Sequence, residues 1–224
     1  MDRKCVRIYL LTFFIAALSV SNVAQDDREV ARVLSQFDNG SVKGNVYENK
    51  TLGLRIKFPD SMEIDSREEA ERDMKAAIEM LRDSKLDKKR FEEMVQKDRI
   101  VFAINTPQAG QSIGAALNLT IKRDPTTESI EAIVARSIKV FTDSGKFKLV
   151  TGAAKDSVGG VEMVTFTFAM DVEGITILSR SYVLKRNGHL LNFSAAYQDE
   201  KELAKMDKVV RSTEFFDQAS TSEK

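Results

Sequence analysis

His189 is the only imidazole in the chain and so the most obvious candidate for acid–base catalysis near neutral pH. It directly follows Asn187-Gly188, a dipeptide typical of a two-residue turn between strands, where a histidine is ordinarily a surface residue. A Ser-His-Asp triad would need a nucleophile near this ring, but the chain has no Gly-x-Ser-x-Gly turn. We therefore expect no enzymatic activity, and a hydrolase with an unrecognised serine or threonine nucleophile stays as an alternative.

Metal and phosphate sites have no matching motif in the sequence. A zinc site usually takes three or four ligands from histidine, cysteine and carboxylate, and the chain offers one histidine and one cysteine, Cys5. No Asp-rich loop of the EF-hand type occurs, and the glycines at 110, 114, 159 and 160 do not lead into a Gly-Lys-Ser/Thr helix start. We expect no metal and no cofactor.

Arg180 is the one charge that the strand pattern places in the middle of an apolar face. The Asn187-Gly188 turn fixes the register of the two strands around it, because a two-residue turn sets Arg186 opposite His189. Counting outward predicts these pairs on the face of Arg180: Leu184 with Leu191, Tyr182 with Phe193, Arg180 with Ala195, and Leu178 with Tyr197.

Four residues of this face form the candidate binding site: Arg180, Tyr182, Thr165 and Thr167. The two threonines belong to the preceding strand and join this face if Glu173-Gly174 is also a two-residue turn. A guanidinium in this position could bind a small anion or the carboxylate of a peptide. Alternatively, the Arg180 side chain extends to the rim of the sheet or donates to carbonyl groups at a helix end.

Four Asn-x-Ser/Thr sequons begin at Asn39, Asn49, Asn118 and Asn192. They would act as glycosylation sites only in a host that modifies secreted proteins. Because Asn118 and Asn192 lie inside predicted strands, where a glycan would be awkward, we interpret the sequons as chance occurrences.

The residues around these sites are predicted to form mostly strands, with helices between some of them. Val46-Tyr47, followed by apolar residues in strict alternation from Leu52 to Phe58, predicts a β-hairpin. A helix is predicted to start at residues 124–127 and to end at Gly145, and another helix carries Leu203 to Val210 near the carboxyl end. The remaining predicted strands span residues 100–105, 115–122, 146–152, 161–171, 174–186 and 189–197.

A helical hairpin is predicted as an insertion at residues 66–97. Ser66 with Glu69 matches a capping box, and the apolar stripe behind it predicts a helix over 67–83. A second apolar stripe follows over 86–95. Since both faces of the strand meander are largely apolar, we predict an α+β fold, an antiparallel sheet flanked by helices on both faces.

The first 24 residues predict a cleaved signal peptide. Three basic residues precede an apolar run from Ile8 to Leu18, and small residues follow it up to Ala24. Cleavage would remove Cys5, so the exported domain would carry no thiol and no stable membrane span. It would also leave a net charge of about −2, with no basic surface for nucleic acid. Residues 25–41 are expected to form a lead-in with a short helix, and residues 217–224 a disordered tail.

Three segments resemble the PsbP-like family, whose fold is an antiparallel sheet between helices. They are the opening hairpin Gly44–Pro59, the late hairpin around Arg180-Ser181-Tyr182 and Asn187–Phe193, and the closing Ser212–Phe216. The resemblance spans residues 42–216 and implies a mostly non-enzymatic family, whose members assist photosystem II, are bacterial envelope lipoproteins or bind partner proteins.

We therefore expect an exported binding or accessory protein of the periplasm or the extracellular space. Its partner is predicted to be a protein or a component of the cell envelope, and no nucleic acid. A carrier of a small ligand, held between the sheet and the helical insertion, remains an alternative.

Overall fold

Two antiparallel sheets and two helices make up the part of the chain that the structure describes. The computed structural model describes residues 39–66, 99–106, 114–124, 126–172 and 174–217, together with Glu69 and Arg72. The predicted leader, most of the lead-in and of the helical insertion, and the tail beyond residue 217 lie outside these residues.

The larger sheet has seven strands in the spatial order β4-β5-β6-β10-β9-β8-β7, and every neighbouring pair is antiparallel. The smaller sheet has the order β1-β2-β3-β11. The large-sheet strands are β4 (Glu63–Ile64), β5 (Arg99–Asn105), β6 (Ala116–Arg123), β7 (Lys148–Val158), β8 (Val161–Val172), β9 (Ile175–Arg186) and β10 (His189–Tyr197). Those of the small sheet are β1 (Ser41–Lys43), β2 (Val46–Asn49), β3 (Leu54–Lys57) and β11 (Glu214–Phe215).

The hairpin of β9 and β10 has the predicted register. Asn187 and Gly188 both have positive φ, 48° and 71°, as a two-residue turn requires. All the predicted pairs form, from Arg186 opposite His189 to Leu178 opposite Tyr197. The pairing of β8 with β9 also follows the prediction, with Val172 opposite Ile175. The antiparallel sheet and the α+β class are therefore confirmed.

Two predicted boundaries were wrong. The helix expected to start at residues 124–127 is α1 (Ile130–Asp143), capped by the Ser129 side chain. It starts late because the Asp124 carboxylate accepts hydrogen bonds from Thr126 and pairs with Lys185 instead of capping a helix. The strand expected over 146–152 continues as β7 to Val158, where the positive-φ glycines 159 and 160 turn the chain into β8.

The predicted capping box is present at the start of the insertion. The Ser66 backbone N–H donates to the Glu69 carboxylate at 2.9 Å, and the Glu69 N–H donates to the Ser66 hydroxyl at 3.2 Å. The helices predicted over 67–83 and 86–95 otherwise lie outside the described residues.

One face of the large sheet packs against helix α2 (Glu200–Arg211) and the small sheet. We call it the α2 face; its central side chains include Tyr182, Leu184 and Phe193. Leu203, Met206, Val209 and Val210 are the buried residues of α2, and they join this core together with Leu54 and Ile56 of β3. Burial of this continuous apolar surface supplies most of the driving force for folding.

The opposite face of the large sheet contacts α1, and we call it the α1 face. Alternation along β8 places Phe166 and Phe168 on this face. The Phe141 ring of α1 lies 5.8 Å from the Phe168 ring, and Phe147 lies 4.9 Å from Phe141, both edge-on. Edge-on aromatic pairs at this spacing add to the stabilisation that burial provides.

Arg186 joins the small sheet to the end of β9. Its guanidinium donates to the carbonyls of Leu52 at 3.1 Å and Phe216 at 2.7 Å and lies over the Phe215 ring. Gly53 is required beside it, because a Cβ at this position would lie 2.3 Å from the Phe216 oxygen. Arg186 is thus one of the contacts that hold the two sheets together.

Candidate functional site

The structure brings together the four residues predicted for the binding site. Thr167 of β8 lies directly opposite Arg180 of β9, and Thr165 lies opposite Tyr182. Ala195 of β10 is the other neighbour of Arg180. Because strand positions two apart share a face, all four side chains lie on the α2 face.

Arg180 is half-buried, and its guanidinium has no hydrogen bond or ion pair with any other described residue. Its Cζ lies 5.3 Å from the centre of the Tyr182 ring, a cation–π distance. The buried Nε has no hydrogen-bond acceptor, and among the described residues no carboxylate lies within 4 Å of the guanidinium. The predicted alternative of bonds to helix-end carbonyls therefore has no counterpart within the described residues. A guanidinium with free donors can bind an incoming carboxylate.

Tyr182 is held by a network of charges that connects α2 to the sheet. Its hydroxyl donates to the Asp207 carboxylate at 2.7 Å, and Asp207 faces Arg211 at 3.7 Å. Arg211 forms a two-pronged ion pair with Asp156 of β7. We call Asp156, Tyr182, Asp207 and Arg211 the charged network. It fixes the ring on which Arg180 stacks.

The charged network shifts the pKa of its members. The hydrogen bonds from Arg211 hold the pKa of Asp156 below its usual value, and Arg180 contributes in the same direction. Burial, assisted by the hydrogen bond to Asp207, raises the pKa of Tyr182 far above its usual value. Both groups therefore keep one protonation state at neutral pH, and the network has a fixed charge pattern.

A second polar cluster, which the sequence did not predict, lies on the α1 face. It comprises neutral side chains from three adjacent strands, and we call it the polar patch: Ser179 and Ser181 of β9, Asn192 and Ser194 of β10, and Asn118 and Thr120 of β6. Ser194 is the centre of one row, since it pairs with Ser181 on one side and with Asn118 on the other.

The polar patch is buried although much of its hydrogen-bonding capacity is unused. Ser181, Asn192 and Ser194 are 0 % exposed, and Asn118 is 2 % exposed. The buried atoms of the patch without a hydrogen-bond partner among the described residues are Asn118 Oδ1, Ser179 Oγ, Ser181 Oγ, Ser194 Oγ, and both Oδ1 and Nδ2 of Asn192. Each such group costs about 1–3 kcal/mol if nothing pairs with it. A cluster of them is therefore unusual for a filled protein core.

Two of the sequons were the available signal for the polar patch. Asn118-Leu119-Thr120 and Asn192-Phe193-Ser194 each place two polar residues two positions apart within a strand. Such residues point to the same face. Read as strand alternation rather than as glycosylation motifs, these tripeptides predict a polar strip across two strands. All four polar residues of the two tripeptides are buried.

His189 lies apart from both clusters. It pairs with Arg186 on one side and Arg123 on the other, and its Nδ1 lies 2.8 Å from the Asn187 carbonyl. Burial lowers its pKa. Neither cross-strand neighbour is a nucleophile.

Two further properties concern only the described residues. No group of three or more histidine, cysteine or acidic side chains among them is arranged to hold a metal ion. No helix within the same ranges is both long and apolar enough to cross a membrane.

The chain resembles several solved structures at low sequence identity. Cyanobacterial PsbP from Synechocystis is 12 % identical over 79 % of this chain and 96 % of its own, with a TM-score of 0.49. LpqN, involved in cell envelope biogenesis of Mycobacterium tuberculosis, is 12 % identical over 81 % of this chain and 88 % of its own, with a TM-score of 0.46. A protein of unknown function from Pseudomonas aeruginosa is 16 % identical over 47 % of this chain and 73 % of its own, with a TM-score of 0.40.

No family model and no curated protein matches the sequence. A PsbP, the family that the sequence resembles, is among these structures.

Proposed function

We propose that this chain is an exported, non-enzymatic binding or accessory domain of PsbP-like fold, acting in the periplasm or the extracellular space. Its leader pattern supports export. Contacts of α1 with one face of the large sheet and of α2 with the other support a sheet layered between helices. The partner is a protein or an envelope component that presents a carboxylate.

The observation that carries the proposal is the guanidinium of Arg180, which no described residue pairs by a hydrogen bond or a carboxylate. Most half-buried arginines pair with a carboxylate or with carbonyl groups, as Arg186 does on the same strand. Arg180 instead stacks on Tyr182, which the charged network holds in place. A preorganised arginine loses little side-chain freedom on binding, which favours affinity for a carboxylate.

A crosslinking experiment in the exporting cell tests this role. A photo-reactive amino acid replaces Thr151, an exposed residue of β7 that lies opposite Thr167. We expect a defined species to be captured, and Arg180→Ala to reduce its yield about tenfold, as the loss of a charge-assisted hydrogen bond predicts. Arg180→Lys should restore part of the yield, because the charge remains without the planar fork.

The matched control is Arg55→Ala. Arg55 is an arginine of the small sheet that pairs with Glu48 at 2.7 Å, and its removal should leave the yield unchanged. Capture of no protein or envelope component, or equal capture by wild type and Arg180→Ala of equal melting temperature, would contradict the proposal.

A further inference from the structure

Helix α2 presents charges of a single sign along its solvent-facing side. Lys201, Lys205 and Lys208 are all exposed, and because they are spaced by four and three residues they lie on one side of the helix. The exposed residue between them is Ala204. We call the three lysines the lysine stripe. It is about 10 Å long, at 1.5 Å of rise per residue, and the buried residues of α2 lie on the other side.

The carboxylates of α2 are used in contacts within the fold. Glu202 accepts a hydrogen bond from the Gln198 backbone N–H at 2.8 Å, and Asp207 accepts from Tyr182 and faces Arg211. Glu200 lies in the first turn, where a negative charge stabilises the start of a helix. Among the described residues, none of these carboxylates forms an ion pair with the lysine stripe. The stripe therefore keeps its positive charge.

Helix α1 provides a contrast, because its charges are balanced. Three ion pairs of 2.7–2.8 Å involve its side chains: Arg136 with Glu128, Lys139 with Asp143, and Glu131 with Lys155. On α2, by comparison, like charges four residues apart repel each other and slightly weaken the helix. Lys201 also lies in the first turn, where the helix dipole disfavours a cation. Helix stability by itself therefore does not account for the stripe.

We propose that the lysine stripe docks on an anionic lipid bilayer, where it binds the phosphates of the headgroups. Lysine carries a point charge on a flexible stem, which suits phosphates that move laterally in a bilayer. A protein partner fits less well, because the cores of protein interfaces are enriched in aromatic residues and arginine and depleted in lysine. The leader pattern, which supports export, would bring the chain to a membrane surface.

The expected binding is weak, reversible and sensitive to salt. Each lysine close to an anionic membrane surface strengthens binding about fivefold, so three lysines together contribute about a hundredfold. Exposed charges are screened by dissolved ions. High ionic strength should therefore release the protein from the membrane.

Cosedimentation with lipid vesicles tests the proposal, using the protein purified from exporting cells. We expect binding to vesicles of equal parts phosphatidylglycerol and phosphatidylcholine, and none to phosphatidylcholine alone. Raising the salt from about 0.05 M to about 0.5 M should release the protein. The triple variant Lys201→Gln, Lys205→Gln, Lys208→Gln should bind about a hundredfold more weakly. Its melting temperature should not fall, because the three side chains are exposed and glutamine is a good helix former.

The matched control is the triple variant Lys57→Gln, Lys139→Gln, Lys155→Gln. It removes the same charge from three exposed lysines that form ion pairs within the protein. We expect it to bind the anionic vesicles as tightly as the wild type, because net charge changes equally in both variants and only the position differs.

Three results would each overturn the proposal. The wild type may leave the anionic vesicles unbound, as it would if the stripe served an acidic protein instead. It may bind neutral vesicles equally well, or the two triple variants may lose binding to the same extent. The stripe shares no residue with the Arg180 site, and these lipid headgroups carry no carboxylate, so each result leaves the carboxylate proposal to its own test.

Discussion

The two faces of the large sheet differ in the hydrogen bonding of their polar side chains. On the α2 face, the Tyr182 hydroxyl donates to the Asp207 carboxylate, and Asp207 forms an ion pair with Arg211 of the same helix. On the α1 face, the hydroxyls of Ser181 and Ser194 are more deeply buried than those charges but have no hydrogen-bond partner among the described residues. The difference shows that burial alone does not identify a structural role; pairing does.

Two arginines of β9 show the same difference in hydrogen bonding within the α2 face. Arg186 and Arg180 are six residues apart on β9 and share a face. Arg186 donates to two carbonyls and connects the sheets, whereas Arg180 donates to no described group. Arg186 therefore has a structural role, and this contrast supports the binding role proposed for Arg180.

The largest expected effect is a loss of stability when the apolar part of the α1 face, rather than its polar patch, is changed. Phe168→Ala removes a fully buried ring that contacts Phe141, Phe147 and Phe166. We expect a loss of about 3–5 kcal/mol in the free energy of unfolding, measured by urea denaturation. Phe168→Leu, which keeps most of the volume, should cost less. A loss below about 1 kcal/mol would show that this cluster does not anchor α1 to the sheet.

A smaller effect tests pairing on the α2 face. Tyr182→Phe removes the hydroxyl that donates to Asp207, and Asp207 stays partly exposed to water. We expect unfolding to be easier by about 1–2 kcal/mol. Ser194→Ala, the contrasting variant on the α1 face, should cost nothing under the same conditions. Equal losses for both variants would remove the contrast between the faces.

The smallest effect concerns pH. Because the ion pair with Arg211 depresses the pKa of Asp156 below the usual 3.8, it stabilises the fold at neutral pH. That stabilisation is lost as pH falls below about 4. It amounts to about 0.2–1 kcal/mol, since both side chains are partly exposed. Urea unfolding at pH 6 and pH 3 should show that Arg211→Ala weakens the fold less at pH 3 than at pH 6. An unchanged difference at pH 3 would contradict the assignment.

Much of the sheet was predictable because its turns are local. Asn187-Gly188 adopts positive φ, and this turn fixed the register of β9 and β10. Alternation along the strands then placed Arg180, Thr167 and Thr165 on the same face. The start of α1 was not predictable in this way. Asp124 had two local options, a cap or a turn, and Lys185, about 60 residues later, stabilises the turn.

By itself, the sequence determined which side chains share a face, since the period of a strand and the φ of its turns are properties of adjacent residues. Only the tertiary structure decided which of these side chains find a partner. Tyr182 is paired by Asp207, 25 residues away, and Arg186 by Leu52, 134 residues away. Arg180 and the polar patch, which lack hydrogen-bond partners among the described residues, are not recognisable from the sequence, because a missing hydrogen bond depends on everything that packs around an atom.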